Sequence, residues 1–414
     1  MKLTTKAVIT GIGAITPLAL TASESWEKLR LGHSGVSRIT SFDASDLDVQ
    51  IAAEVKGFSP DNYMDLKASR RMSRFAQFCV AAAKEAAQDA KLELTTEEKP
   101  RAASAIATGA GGILNTFEEM GNYVTKGPSR VSPFFIPLMA PNMGACQAAM
   151  TLGLRGPALA STAACASGLY SFIEAQQLIS SGMCDVVLAG GGEAALHPVA
   201  IAALSNMRAL SRNNNDPEGA SRPFDQERDG FVFGEGAVVF VIESEERALR
   251  RNTKIYAELL GGGLSCDANH ITAPLDDGSG AAQAIETALQ IGRVEATDIS
   301  YISAHGTGTA LNDVSETKAI KLALGEHANK VAVSATKSMV GHLLGGAGAL
   351  GVFSCVKAIE EGIIPPTINL HSPAEDCDLD YVPLKARDRE VNYAITNGFG
   401  FGGQNGCVLL GKYH

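Results

Sequence analysis

Short apolar stretches alternate with longer segments of helical periodicity along almost the whole chain, and this alternation restricts the possible folds more than any other feature. AVITGIG (7–13), AIATGA (105–110), CDVVLAGGG (184–192), AVVFVIE (237–243), IYAELLGGG (255–263), ISYISAHG (299–306), VAVSATK (331–337) and YAITNGFG (393–400) read as strands. In each, β-branched and small apolar residues run together beside glycines or other turn signals. Residues 72–90, 165–181, 280–291, 313–325 and 343–361 read as helices. Continuous apolar strands are buried on both faces, so the pattern predicts an α/β fold with helices covering the sheets. The charged stretch ESEERALRRNTK (243–254) separates two segments of comparable α/β character. It reads as a solvated helix and connector, and predicts two halves, 1–250 and 251–414.

At 414 residues, 45% of them hydrophobic, the chain supports a large core, either two ordinary domains or one compound domain. Its 43 glycines fall in short clusters such as GAGG, AGGGEA and GFGFGG, which mark tight turns and close backbone approach. A formal net charge of -10 repels polyphosphates and argues against a general nucleic-acid or anionic-membrane binder. The eight cysteines, at 79, 146, 165, 184, 266, 355, 377 and 407, show neither CxxC nor zinc-finger spacing with histidine. That pattern predicts reduced thiols, a cytoplasmic location and no structural metal. Lys2 and Lys6 ahead of an apolar stretch superficially suit a secretory signal, but Gly11, Gly13 and Pro17 interrupt any helix and Val8, Ile9 and Thr10 suit a buried strand. The following SESWEKLRLG reads as a capped helix, and no uninterrupted apolar run reaches the ~18 residues of a membrane span.

Among the thiols, Cys165 stands out because it sits in STAACASGLY (161–170), between a short apolar segment and an amphipathic helix carrying Leu169, Phe172, Ile173 and Ile179. A helix N-terminus favours the thiolate, and a shift of about one pKa unit would raise the ionised fraction at pH 7 from roughly 3% towards a quarter. Small neighbours leave room for a substrate and let backbone N–H groups approach an oxyanion. A buried, inert thiol is the alternative from this segment alone.

His305 ends a strand and opens a Gly/Thr loop, where α/β proteins place site residues, although a hydrogen-bonded core histidine fits equally. Lys337 and His342 belong to VAVSATKSMVGHLLGGAGALG, read as strand, turn and helix. His342 in a first helical turn should stay neutral and donate one hydrogen bond. Asp313 and Glu316 fit a variant capping box opening helix 313–325, with Asp313 as N-cap. NGFGFGGQNG (397–406) sets Phe399 and Phe401 on a frame that includes Gly400 and Gly402; phosphate cradling is disfavoured because no P-loop lysine follows.

Taken in order, TAACASG, HGTGT, ATKSMVGH and GFGFGG resemble the Cys-His-His site of the beta-ketoacyl-acyl-carrier-protein synthases, closest to the type II enzymes. MDLKASRRMSRF, SRPFDQERDGFVFGEGA and the opening VITGIGAITPLA extend the similarity over nearly the whole chain. The resemblance implies a thiolase fold, two pseudo-symmetric halves in a layered αβαβα core, and a homodimer. It implies that Cys165 takes an acyl group, with the N–H groups of Cys165 and Phe401 as oxyanion hole and Phe399, Gly400, Phe401 and Gly402 in a gating loop. His305 and His342 would hold the malonyl thioester carbonyl, Lys337 and Glu316 would form a supporting pair, and Thr307 and Thr309 would meet a phosphopantetheine arm carried by acyl carrier protein. No resident cofactor is expected.

Decarboxylating a malonyl thioester supplies a carbanion without a base strong enough to remove an α-proton, and two imidazole donors suit the resulting enolate. A thiolase would carry a second cysteine late in the chain in its own motif, a type III synthase would have Asn in place of His342, and a non-catalytic chain-length partner would lack Cys165. A polyketide ketosynthase stays open as the nearest enzyme alternative, and a non-catalytic chain-length partner as the alternative of a different class. Gly398 and Gln404 stand where Ser and Thr are more usual, and Ala110 stands where some elongating synthases have a bulkier acyl-pocket gate. The resemblance also sets Lys67, Arg70, Arg71, Arg130 and Arg208 around the entrance as a carrier-protein surface, against the alternative of a solvated helix face.

Overall fold

The computed structural model describes residues 5–414. Its main sheet has ten strands: β1 (Ala7–Ile15), β2 (Ala102–Ala107), β3 (Ala158–Leu159), β4 (Val186–Glu193) and β5 (Gly236–Ser244), then β6 (Ala257–Cys266), β7 (Tyr301–Ser303), β8 (Ala332–Ser334), β9 (Tyr393–Gly400) and β10 (Gln404–Gly411). Their spatial order is β8-β7-β9-β10-β6-β1-β5-β4-β2-β3. Read outward from the middle, the first five strands run 1-5-4-2-3 and the second five repeat that order. The directions repeat too: in each half the two inner pairings are antiparallel and the two outer ones parallel. Within the main sheet, Ala7–Ile9 of β1 pairs antiparallel with Ala257–Leu259 of β6 to join the halves.

Five helices complete the layers: α1 (Arg74–Asp89), α2 (Ser167–Ser180), α3 (Ser279–Gly292), α4 (Ala310–Leu324) and α5 (Ala347–Glu361). Helices α2 and α5 pack on each other between the two halves of the sheet, and α1 and α3 cover its outer faces. Phe172, Ile173, Val352, Phe353 and Val356 therefore share one core with Val187, Val238 and Val408 from both halves. Each such side chain contributes about 1.5–3 kcal/mol by leaving water. The two central helices approach closely because Gly168 has no side chain: a Cβ there would lie 2.8 Å from Ala349 N and Gly345 O. This contact sets the start of α2 directly against the turn that leads into α5.

Helix Ala22–Arg30, capped by Thr21, follows β1, and Val8 and Ile9 are buried strand residues. Two helix starts differ from expectation. Thr309, not Asp313, caps α4, accepting a hydrogen bond from Asn312 N at 3.4 Å, so the helix begins three residues earlier. α5 begins at Ala347 because Leu344–Gly346 form a 3-10 turn. The charged connector is not a solvated helix throughout: Arg247 and Glu243 are buried, and Arg247 also reaches Glu98 at 3.0 Å and Glu93 O at 2.8 Å. Paired charges of this kind satisfy each other away from water. No helix among the described residues is long and apolar enough to cross a membrane.

Candidate active site

From β3 the chain enters a 3-10 turn, Ala164–Ala166, that opens α2. Ser167 Oγ locks this turn, accepting from Ala163 N at 2.8 Å and donating to Ala164 O at 2.6 Å. Ala164 is held in the left-handed region at φ 47, a conformation costing an L-residue about 1–2 kcal/mol. The strained turn presents Cys165 to a cavity of about 260 Å³ while leaving the residue only 7% exposed. The glycine-rich loop after β9 closes over it, which requires Gly400: a Cβ there would stand 2.5 Å from Ala163 O and 3.2 Å from Cys165 N.

Burial pushes the Cys165 thiol up to about 11, against the pull of Lys337 and of the Phe401 and Cys165 N–H groups; Glu193 adds to the upward shift. The expectation of a thiol lowered by the helix dipole is therefore corrected. Removal from water outweighs it, and the resting group is protonated at neutral pH. The Phe401 and Cys165 N–H groups both favour the charged form of the sulfur.

His305 follows β7, and His342 lies in the loop before the Leu344–Gly346 turn; both are buried, with ring centroids 5.4 Å apart and planes at 84°. Leu344 N donates to His342 Nδ1 at 3.2 Å, and Lys337 Nζ lies 3.5 Å from His305 Nδ1. With both Nδ1 atoms occupied as acceptors, the neutral rings carry their proton on Nε2. Burial, and then the Lys337 charge, hold both histidines well below the ordinary range, with His342 acting further on His305. The expectation of a neutral His342 holds, and the causes are burial and a lysine.

Lys337 donates to His305 O, and burial lowers it to about 8 despite the opposing charge of Glu316. Glu316 is not a capping residue. It sits inside α4, wholly buried, and accepts from His305 N and Gly306 N, both at 2.7 Å, and from Asn397 Nδ2 at 3.2 Å. Lys337 and Glu316 interact electrostatically without contact, gripping opposite sides of the His305 backbone. Burial raises Glu316 and Asp313, and Asp313 steadies the same loop through Gly308 N at 3.2 Å and Phe224 N at 2.7 Å.

Thr307 and Thr309 line the cavity with their hydroxyls 2.9 Å apart, beside Phe399, Gly400 and Phe401. Gly402, at φ 84, lies outside the lining and donates to Ile271 O at 2.8 Å, which ties the loop to the Asp267–Pro274 segment on the cavity wall. Ala110 does not line the cavity; it packs, partly buried, against the same hydrophobic cluster as Phe231 and Leu344, two residues that do. Gly398 has a local reason, since a Cβ would meet Leu169 Cδ1 at 2.9 Å. Lys67, Arg70, Arg71, Arg130 and Arg208 are all exposed, but only Arg208 lines the cavity. Arg71 lies 4.8 Å over the Phe134 ring, close in sequence to Arg130.

Sequence reasoning missed Glu193, Asn397 and Phe231. Phe231 packs edge-on against His342 with centroids 5.1 Å apart, and Glu193 lies buried at the end of β4. An acid closing the apolar run VVLAGGGE was the one available signal.

The sequence matches the family Beta-ketoacyl synthase, N-terminal domain, over residues 4–248, and Beta-ketoacyl synthase, C-terminal domain, over residues 256–371. It is 46% identical over 408 residues to 3-oxoacyl-[acyl-carrier-protein] synthase 2 of Synechocystis sp., covering 99% of this chain and 98% of that protein. A beta-ketoacyl synthase from Burkholderia phymatum superposes with a TM-score of 0.92 at 32% identity, over 99% of this chain and 100% of that one. A type II polyketide ketosynthase solved in complex with its acyl carrier protein gives 0.91 at 31% identity, over 99% and 100%. The duplicated strand order and the Cys-His-His cavity are those of a thiolase-fold condensing enzyme. Within that class, the chain belongs to the beta-ketoacyl synthase family.

Proposed function

We propose that this enzyme elongates fatty acyl chains by decarboxylating Claisen condensation of an acyl thioester with malonyl-acyl carrier protein, through an acyl group on Cys165. The observation that carries the reading is the cavity shared by Cys165 and two buried imidazoles, His305 and His342, whose Nδ1 atoms face Lys337 Nζ and Leu344 N. Cys165 attacks the acyl thioester carbonyl; its S–H proton leaves with the carrier thiol, and the Cys165 and Phe401 N–H groups hold the oxyanion. His305 and His342 then donate to the malonyl thioester oxygen as the bond to CO2 breaks. The resulting enolate attacks the acyl-Cys165 carbonyl, the C–S bond breaks, and the sulfur recovers a proton from solvent. Neutral imidazoles suit this step because they stabilise the enolate without protonating its carbon.

Lys337 and Glu316 fix the His305 backbone, and Thr307 and Thr309 receive the phosphopantetheine arm; the reaction uses no resident cofactor or metal. Acyl carrier protein is the partner, met by Lys67, Arg70, Arg71, Arg130 and Arg208. A second copy covers exposed Val124 (76%) and Ile136 (67%) and the open edge of β3, giving a homodimer. We place the enzyme in the cytoplasm, a reading supported by its unpaired cysteines. Purified enzyme with acyl and malonyl carrier-protein thioesters should release CO2 and β-ketoacyl-carrier protein, and Cys165→Ala should abolish the condensation. Turnover only with preformed polyketide chains would place it in polyketide assembly instead.

A further inference from the structure

The buried carboxylate missed in the sequence joins two parts of the site that the chain places far apart. Glu193 accepts from Thr108 Oγ1 at 3.0 Å, Gly109 N at 2.8 Å and Ala110 N at 3.2 Å on one side. On the other it accepts from Gly345 N at 3.1 Å. The first group forms the loop that carries Ala110; the second belongs to the turn just after His342. These segments are in backbone contact, since a Cβ on Gly345 would fall 2.2 Å from Gly109 N. Gly109 in turn backs onto the nucleophile turn, with its Cβ position 3.3 Å from Ala164 O.

We propose that Glu193 is a positioning residue that couples the wall behind the acyl pocket to the His342 turn, holding primer pocket and decarboxylation site in register beneath Cys165. Nothing else among the described residues bonds both segments through one side chain. The carboxylate suits the task because its two oxygens offer about four lone-pair sites to donors that the backbone cannot supply with partners locally. Helix macrodipoles are not required, because the donors come from a strand end and a 3-10 turn. Thr108 belongs to the first segment only: its hydroxyl donates to Glu193 and accepts from Gly111 N at 3.1 Å.

The inference rests on the assignment of Cys165 and His342 to acylation and decarboxylation, and the test separates the two. Acylation of Cys165 by long-chain acyl-carrier protein is followed by intact mass, and CO2 release from malonyl-carrier protein is followed separately. A wild-type enzyme with no adduct on Cys165 would overturn the underlying assignment before any variant is compared. Glu193→Gln keeps the volume but turns an NH2 donor towards N–H groups, so both rates should fall about tenfold or more. Thr108→Ala should slow acylation by several-fold, roughly the effect of one lost hydrogen bond, and leave CO2 release within about twofold of wild type. Loss of only one rate in Glu193→Gln, or equal loss of both in Thr108→Ala, overturns the coupling. Should Glu193→Gln fail to fold, Glu193→Asp, which keeps the acceptor oxygens but shortens their reach, should slow both rates, and loss of only one overturns the coupling.

Discussion

Replacing Glu316 by Gln separates a site role from the helix-capping role that its sequence position suggests. The carboxylate receives three N–H donors, two of them the consecutive backbone groups of His305 and Gly306 at 2.7 Å. Glutamine offers one carbonyl oxygen and an NH2 that faces the remaining donor. The loop cannot relax readily, because Gly306 sits at φ 40 and its Cβ position is 2.5 Å from Ala335 Cβ. Hydrogen bonds to a charged group contribute about 1.5–3 kcal/mol each, so losing one should lower stability by roughly 2 kcal/mol. Displacing the His305 ring by a fraction of an ångström should cut CO2 release from malonyl-carrier protein by about 100-fold. Alkylation of Cys165 should slow far less, because Glu316 reaches that residue only through the charge it helps to hold on Lys337. A capping residue would instead cost about 1 kcal/mol and spare the chemistry. Urea unfolding, CO2 release and iodoacetamide labelling read the three effects. Decarboxylation within about twofold of wild type would refute the reasoning, as would an equal loss in all three.

Lys337→Met removes the main charge opposing the burial that holds the Cys165 thiol at about 11, so the thiol should rise further and its alkylation at pH 8 should slow; an unchanged rate would contradict the electrostatic account. Glu85, which accepts from Ala14 N and Ala22 N at 2.8 Å, is raised by burial to about 7, so the folded protein binds a proton there that the unfolded chain has lost above pH ~4.5. That stabilising proton is lost as pH rises towards 7, at a cost of roughly 3 kcal/mol, so wild type should lose stability relative to Glu85→Gln between pH 5 and 7; a difference moving the other way in urea melts rejects it. Ala110→Ile, which adds bulk against the cluster that holds the cavity residues Phe231 and Leu344, should shift the acyl profile towards shorter primers when chains of graded length are compared, and an unchanged profile would remove Ala110 from the specificity argument.

Cys165, His305 and Lys337 stood out because each lies near the end of a strand or the start of a helix, and His342, in a loop, because it falls in the short motif ATKSMVGH. Their electrostatics did not. The thiol is raised because a loop more than 200 residues later closes on it through Gly400, and local helix-dipole reasoning has no access to that burial. Glu316 read locally as a cap for a similar reason, and only the family resemblance implied a site role: its donors, His305 N and Asn397 Nδ2, come from a loop and a strand outside its helix. Arg247 read as solvated because its partner Glu98 lies across the fold. The duplicated strand order is a long-range property too; composition showed only that both halves are α/β.

The central claim is that Cys165 carries the growing acyl chain. Incubating the enzyme with acyl-carrier protein and mapping the adduct by peptide mass spectrometry tests it most directly. One acyl group should appear on the peptide containing Cys165 and be chased into β-ketoacyl-carrier protein on adding malonyl-carrier protein. An adduct on another cysteine, or one that malonyl-carrier protein does not discharge, would contradict the account.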